Sequence, residues 1–360
     1  MLEKLFNFIS KQQEILVLGV LLLFSSVEIF GGLLKNTQRS AGDLIQEITG
    51  FMLLSIVIKP LIVILVGFIG AELVPGYTTL LSAYNLWALL IVYLFIDDFL
   101  QYWYHRSAHE YAFLWKLHRP HHAANEMGLL VSYRNAALYY VLMPNIWWIA
   151  VMTFLGGGVA VGVGLIIKQL VIISSHSTTR WDRVLYRFKV LSPLAWFVEH
   201  IIVTPAFHFA HHGKAKDDGI SDPNGNFGNM FSIWDQLFGS ALFTREYPKE
   251  YGLQSDTIDS WQSHTFYPII YAKDSSSEIA KGFQKVFTRT NSPIQQTLSP
   301  GIYLWCSCGF SRKQPFCDGS HQGTKHKPQV LKVEEEQIVK LCNCKRSKLG
   351  AICDNSHNSL

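Results

Sequence analysis

The chain has 360 residues, room for two domains, with 49% hydrophobic and 16% charged side chains and a formal net charge of +4. Its mean hydropathy of +0.17 leans towards a membrane protein, and nothing in so small a charge points to a nucleic-acid partner. All six cysteines lie after residue 305, as two Cys-x-Cys-x8-Cys units, which favours metal binding in a reducing compartment over a disulfide framework.

From the N-terminus, Ile15 to Leu34 is an apolar run of bilayer-spanning length with Glu28 inside it, too long for a signal peptide. Ile48 to Leu73 is a second span, interrupted by Lys59-Pro60. That pair calls for a kink, and for Lys59 either pairs with Glu28 or snorkels. Leu86 to about Tyr104 is a third span. Ala136 to Leu155 and Val159 to Ile173 make a fourth and a fifth, joined by Gly156-Gly157-Gly158, which suits a tight hairpin. Arg106, Lys116, Arg119, Arg180, Arg183 and Arg187 flank the same side of these spans, so that side is expected to face the cytoplasm. Residues from Trp181 to Thr204 mix aromatic, apolar and basic side chains, as an interfacial helix does.

Histidine is concentrated at that side. Ten of the fourteen histidines lie between positions 105 and 212. His105 and His109 are one helical turn apart; His118, His121 and His122 repeat the spacing i, i+3, i+4, and so do His208, His211 and His212. One histidine on an apolar face is ordinarily a satisfied core residue. Three clusters at helical spacing beside apolar runs point instead to a metal site, and their number to two metals.

These segments resemble the three histidine boxes of the fatty acid hydroxylase/sterol desaturase superfamily. So do Asp98, Tyr102-Trp103 and His105-Arg106 before the first box, Thr204-Pro205 before the third, and Asn226-Phe227-Gly228, Trp234-Asp235 and Phe238-Gly239 after it. The resemblance covers about residues 85–245, is nearest to the alkylglycerol monooxygenase branch and bacterial sterol-desaturase-like proteins, and implies an all-α integral-membrane bundle with cytoplasmic His-lined helices. It further implies two non-haem irons that use O2 to hydroxylate or desaturate a sterol, fatty acyl or ether-lipid chain in a bacterial inner membrane. The eight box histidines His105, His109, His118, His121, His122, His208, His211 and His212 are then ligands. His176 resembles the family's additional histidine; His200 is left open between ligand and interfacial residue. Asp98 and Asp235 are expected as acceptors that orient imidazoles.

Residues 274–300, rich in Ser, Thr and Gln, read as a linker between a membrane domain over 1–273 and a tail over 301–360. Within the tail, Cys306, Cys308, Cys317 and His321 closely resemble the CDGSH iron–sulfur motif, in which three cysteines and one histidine hold a [2Fe–2S] cluster. Cys342, Cys344, Cys353 and His357 repeat the pattern 36 residues on. The second copy has Ala351 for Pro and Asn355 for Gly, and Asn is the residue that best tolerates a left-handed backbone there. A Cys3His zinc site is the alternative for both copies. A small β-rich domain with two [2Fe–2S] clusters is implied.

Fusion of an electron carrier to an electron consumer suggests a built-in supply, itself reduced by a ferredoxin, flavoprotein or similar reductase. Two other readings stay open: an oxygenase with an external reductant and regulatory clusters, and a membrane iron or redox sensor or metal-handling protein. The substrate lipid and the oligomeric state are not legible.

Overall fold

The computed structural model describes Phe8 and residues 12–30, 39–214, 218–253, 260–270, 292–307, 311, 314–317 and 327–359. They divide into two compact units, Met1–Ala272 and Lys273–Leu360. The first unit is helical. In chain order its α-helices are α1 (Gln13–Phe30), α2 (Ala41–Met52), α3 (Lys59–Leu73), α4 (Leu86–Glu110), α5 (Ala112–His122), α6 (Ala137–Leu142), α7 (Pro144–Met152), α8 (Gly158–His176), α9 (Arg183–Arg187), α10 (Ser192–Ile201), α11 (Pro205–His212), α12 (Ile233–Leu237) and α13 (Trp261–Phe266).

Among the described residues, three helical stretches, Ala41–Leu73, Leu86–Glu110 and Pro144–His176, are long and apolar enough to cross a membrane, and Ile15–Phe30 is a shorter apolar helix. Five separate spans were expected. The fourth and fifth instead form one stretch that doubles back on itself. Asn145 and Lys168, 23 residues apart, would be separated by about 34 Å in a straight helix, yet both bond the carboxylate of Asp97. The reversal falls at Gly156, whose φ of 93° is left-handed and costs glycine little. There Leu81 N–H donates to Leu155 carbonyl at 2.8 Å, so the turn after α3 and the turn after α7 meet at the end of the bundle remote from the histidines.

Lys59-Pro60 is accommodated by a π-helical turn, Leu53–Ile58, directly before α3. Proline lacks the N–H that a continuous ladder would need, and the wider turn absorbs the defect. Glu28 does not take up Lys59. It accepts from Ser177 Oγ and Thr178 N–H, each at 2.8 Å, and so ties α1 to the end of α8.

The core of the bundle joins α4, α7 and α8 through Leu90, Tyr93, Ile149, Met152 and Ala160. Gly164 lets α8 approach α4 closely: a Cβ there would lie 2.5 Å from Tyr93 Cδ1 and 3.3 Å from Leu90 Cδ1. Gly164→Ala gains about 1 kcal/mol of helix propensity, but overpacking against the fully buried Tyr93 ring costs about 1–3 kcal/mol. The expected result is a lower melting temperature in detergent. A rise would show that the helices separate freely.

Among its described residues the second unit has four strands: β1 (Ile294–Leu298), β2 (Gly301–Trp305), β3 (Gln329–Val333) and β4 (Gln337–Leu341). β1 pairs antiparallel with β4 and β2 with β3, so each copy of the 36-residue repeat lends a strand to the other. β1 falls at the end of the segment expected to be linker. Its alternating partner, from the other copy, makes it a strand. The repeat also recurs in the backbone bonds: Cys306 N–H donates to Pro315 carbonyl at 2.9 Å, and Cys342 N–H to Ala351 carbonyl at 2.7 Å. Asn355 has φ 67°, the left-handed conformation anticipated for that position.

Candidate metal centre

Four helices bring nine histidines together. α4 ends in His105 and His109, α5 in His118, His121 and His122, α8 in His176, and α11 carries His208, His211 and His212. Pro205 at the start of α11 has its position because Thr204 caps the helix on Phe207 N–H. The nine side chains sort into two groups, each with its nitrogens within 4.8 Å of one another: His105, His109, His118, His122 and His211 in one, His121, His176, His208 and His212 in the other. All nine are buried. His122 stacks on His212 at 4.6 Å, which joins the groups.

The hydrogen bonds fix which nitrogen faces inward. His105 Nδ1 is 2.7 Å from Phe227 carbonyl, and His211 Nδ1 is 2.7 Å from Gly225 carbonyl. His121 Nδ1 meets Val131 carbonyl at 2.9 Å, His176 Nδ1 meets Ile172 carbonyl at 2.8 Å, and His118 Nδ1 meets Asn135 Oδ1 at 2.8 Å. A carbonyl oxygen only accepts, so in each case Nδ1 carries the proton and Nε2 presents a lone pair. The Nε2 atoms of His105 and His211 are 3.1 Å apart. Two lone pairs at that distance repel unless a cation lies between them. Among the described residues, Nε2 of His109, His118 and His122 and Nδ1 of His208 have no hydrogen-bond partner. Burial, and after it the neighbouring imidazoles, hold His118, His121, His122, His208, His211 and His212 well below the usual imidazole range, so the rings stay neutral and their lone pairs available. Neutral imidazole suits iron, zinc and copper. Two metal ions, one per group, fit this donor set.

Asp98 and Asp235 were expected to accept from imidazoles; among the described residues they bond backbone N–H groups and an indole instead, and both hold the loop after α11. Asp235 accepts from Gly228 N–H at 2.7 Å and Phe227 N–H at 2.8 Å. The Phe227–Gly228 peptide thus donates to Asp235 and accepts from His105, so the carboxylate acts on the ring through one peptide. Burial raises the Asp235 carboxyl to about 6, against the lowering bonds of Ser240, Gly228 and Phe227. Asp98 accepts from Met230 N–H, Phe231 N–H and Trp234 Nε1–H.

His200 joins neither group. Its ring stacks between Trp196 at 4.5 Å and Phe243 at 4.3 Å. Sequence reasoning also missed Asn135 and the brace beneath it, Arg134, which donates to Pro120 carbonyl and pairs with Asp43. It missed the buried pair Asp97–Lys168 as well. Ionisable residues on two different apolar runs were the available signal. A cavity opens onto the centre. His105, His118, His121 and His176 line it at one end, and Met143, Ile146, Ile149 and Leu165 are among its apolar walls.

In the second unit, Cys342 Sγ and Cys344 Sγ are 3.6 Å apart, and Cys353 Sγ is 3.4 Å from His357 Nδ1. Each pair has the spacing of two ligands on one tetrahedral ion with bonds of about 2.0–2.3 Å. The cysteines of the described residues are free thiols. Of the first copy, Cys306 and Cys317 are described, whereas Cys308 and His321 lie outside the described residues.

Residues 90–240 match the family model described as fatty acid hydroxylase, and residues 277–322 the one described as iron-binding zinc finger, CDGSH type. Alkylglycerol monooxygenase of Xenopus tropicalis is 25% identical over 199 residues, 50% of this chain and 38% of that protein. The Homo sapiens protein of that name is 29% identical over 150 residues, 40% of this chain and 28% of that protein. The mitochondrial CDGSH iron-sulfur domain-containing protein 3 of Homo sapiens is 42% identical over 74 residues, 19% of this chain and 58% of that protein. A crystal structure of the human mitochondrial inner NEET protein shares 38% identity, covering 19% of this chain and 79% of that one, with a TM-score of 0.19. The chain therefore spans only a part of the two alkylglycerol monooxygenases and of the CDGSH iron-sulfur domain-containing protein 3, from 28% to 58% of their length.

Proposed function

We propose, from the match of residues 90–240 to the fatty acid hydroxylase family model and of residues 277–322 to the CDGSH-type one, that this chain is a membrane-bound, O2-dependent lipid hydroxylase or desaturase supplied with electrons by its CDGSH domain. The observation that carries this reading is the convergence of nine buried imidazoles, with the His105 and His211 lone pairs turned on each other. Two irons held there would supply O2 activation and abstraction of hydrogen from an unactivated C–H bond. The chain's own residues do the rest. His105, His118, His121 and His176 form the end wall against which a lipid tail is laid, with Met143, Ile146, Ile149 and Leu165 as apolar groups along the cavity. Phe227, Gly225, Val131 and Ile172 hold the rings in one tautomer through their carbonyls. Basic residues Arg106, Lys116, Arg119 and Arg180 favour a cytoplasmic orientation of this side.

The test is direct. Purified full-length protein is assayed for iron and acid-labile sulfide. Membranes with and without it are then profiled under 18O2 for a lipid heavier by one oxygen or lighter by two hydrogens. On this reading Cys353→Ser, or Cys317→Ser in the first copy, loses turnover with the physiological reductase, and dithionite restores it. Turnover unchanged in both variants would remove the relay and leave the clusters regulatory. Iron without any lipid product would favour metal handling instead.

A further inference from the structure

The same cavity holds a polar cluster that the histidine site does not use, built from Gln101, Asn145 and Lys168. Lys168 lies eight residues before His176 on α8, and Asp97 eight before His105 on α4. Their ion pair is therefore about 12 Å along the helices from the histidine layer. The pair is buried and neutralises itself. The second Asp97 oxygen faces Asn145 Nδ2 at 3.5 Å, and Gln101 Oε1 faces the same nitrogen at 3.5 Å. A carboxylate paired with lysine only accepts, so it fixes which way the Asn145 amide turns. Asn145 Oδ1 is then an acceptor on a residue only 6% exposed, with no hydrogen-bond partner among the described residues. Such an atom, on a residue that lines the cavity, marks a place for a donor brought by a ligand.

We propose that Asn145, with Gln101 beside it, is a subsite for a hydroxyl group of the lipid substrate, held about 6–12 Å along α4 from the histidine layer. A hydroxyl donates to Asn145 Oδ1 and accepts from the Gln101 amide nitrogen. A carboxylate or phosphate has no proton to give the Asn145 amide oxygen, and a quaternary ammonium carries no N–H for it. The substrate class is therefore a long lipid with a neutral hydroxyl, separated from the reacting carbon by a stretch of hydrocarbon. The inference rests on the oxygenase reading for which end of the cavity carries the reacting bond, not for the hydroxyl contact itself.

The test compares hexadecan-1-ol with 1-fluorohexadecane, which matches it in size and cannot donate. Retention of each radiolabelled compound is measured on iron-loaded full-length protein in phosphatidylcholine nanodiscs, against protein-free discs. Wild type is expected to hold the alcohol about tenfold more tightly than the fluoride. Asn145→Leu brings the alcohol down to the level of the fluoride and leaves the fluoride unchanged. Gln101→Leu, which serves also if Asn145→Leu does not fold, narrows the gap. Equal retention by wild type, or discrimination surviving in the folded variants, overturns the subsite. Iron content and 18O incorporation on the same preparations report on the oxygenase separately, so the two readings fail independently.

Discussion

Replacing His211 with alanine is expected to strip metal from the five-histidine group and to reduce lipid oxidation below about 1% of wild type. Positioning partners one step away from a metal already cost 10–100-fold, and a ligand costs more. His211 donates through Nδ1 to Gly225 and faces His105 through Nε2. Its loss therefore removes a lone pair and leaves the Gly225 carbonyl unpaired. His208→Ala should do the same to the four-histidine group, where His208 meets His176 at 2.9 Å and His212 at 3.1 Å. Iron per chain, measured beside a circular dichroism spectrum, falls from about six in wild type, about four of them in the two [2Fe–2S] clusters, towards about five in either variant and about four in the pair. Asp235→Asn, which loosens the Phe227–Gly228 peptide behind His105, is expected to give an intermediate loss of about 10–100-fold. His200→Ala should keep both irons, since its ring is packed between Trp196 and Phe243. Full iron retention in both His211→Ala and His208→Ala would mean that the imidazoles are a packed core and not a metal site.

The helical spacing made the histidine cluster readable, because residues three and four apart must share a face. The division into two groups was not readable. His121 and His122 are neighbours in sequence, yet a turn of about 100° sends one to each group, and only the packing of α8 and α11 decides which. His211 is likewise separated from His208 and His212. Lys168 was hidden by the hydropathy of the run around it, although its partner Asp97 stands beside Asp98 in another run. Strand exchange in the C-terminal unit was hidden for a different reason: β1 lies in a Ser-, Thr- and Gln-rich stretch, and its partner β4 belongs to the other copy. The repeat period of 36 residues was legible because ligand chemistry tolerates little drift. The pairing was not, because strands take their partner from tertiary context.

Lys168→Met is expected to destabilise the membrane unit by about 3–5 kcal/mol, the cost of leaving a buried charge without its partner. The side chains of Lys168 and Asp97 are 3% and 0% exposed. Removing the ammonium leaves Asp97 beside Asp98, and two carboxylates in an apolar helix have no water to take up the repulsion. Asp97→Asn should cost less, because Asp98 Oδ1 lies 3.9 Å from Lys168 Nζ and keeps the charge paired after a small shift. Asp98 itself holds Met230 and Phe231, so that shift weakens the loop bearing the His105 acceptor, and part of the iron should be lost with it. The double variant Asp97→Asn/Lys168→Met removes one charge of each sign and should recover a good part of the loss of Lys168→Met alone, since a buried pair replaced as a unit is often neutral. Thermal unfolding in detergent, ordered as wild type, double variant and then Lys168→Met, is the expected outcome. A double variant no more stable than Lys168→Met alone would mean that the pair acts through its shape and not through its charge.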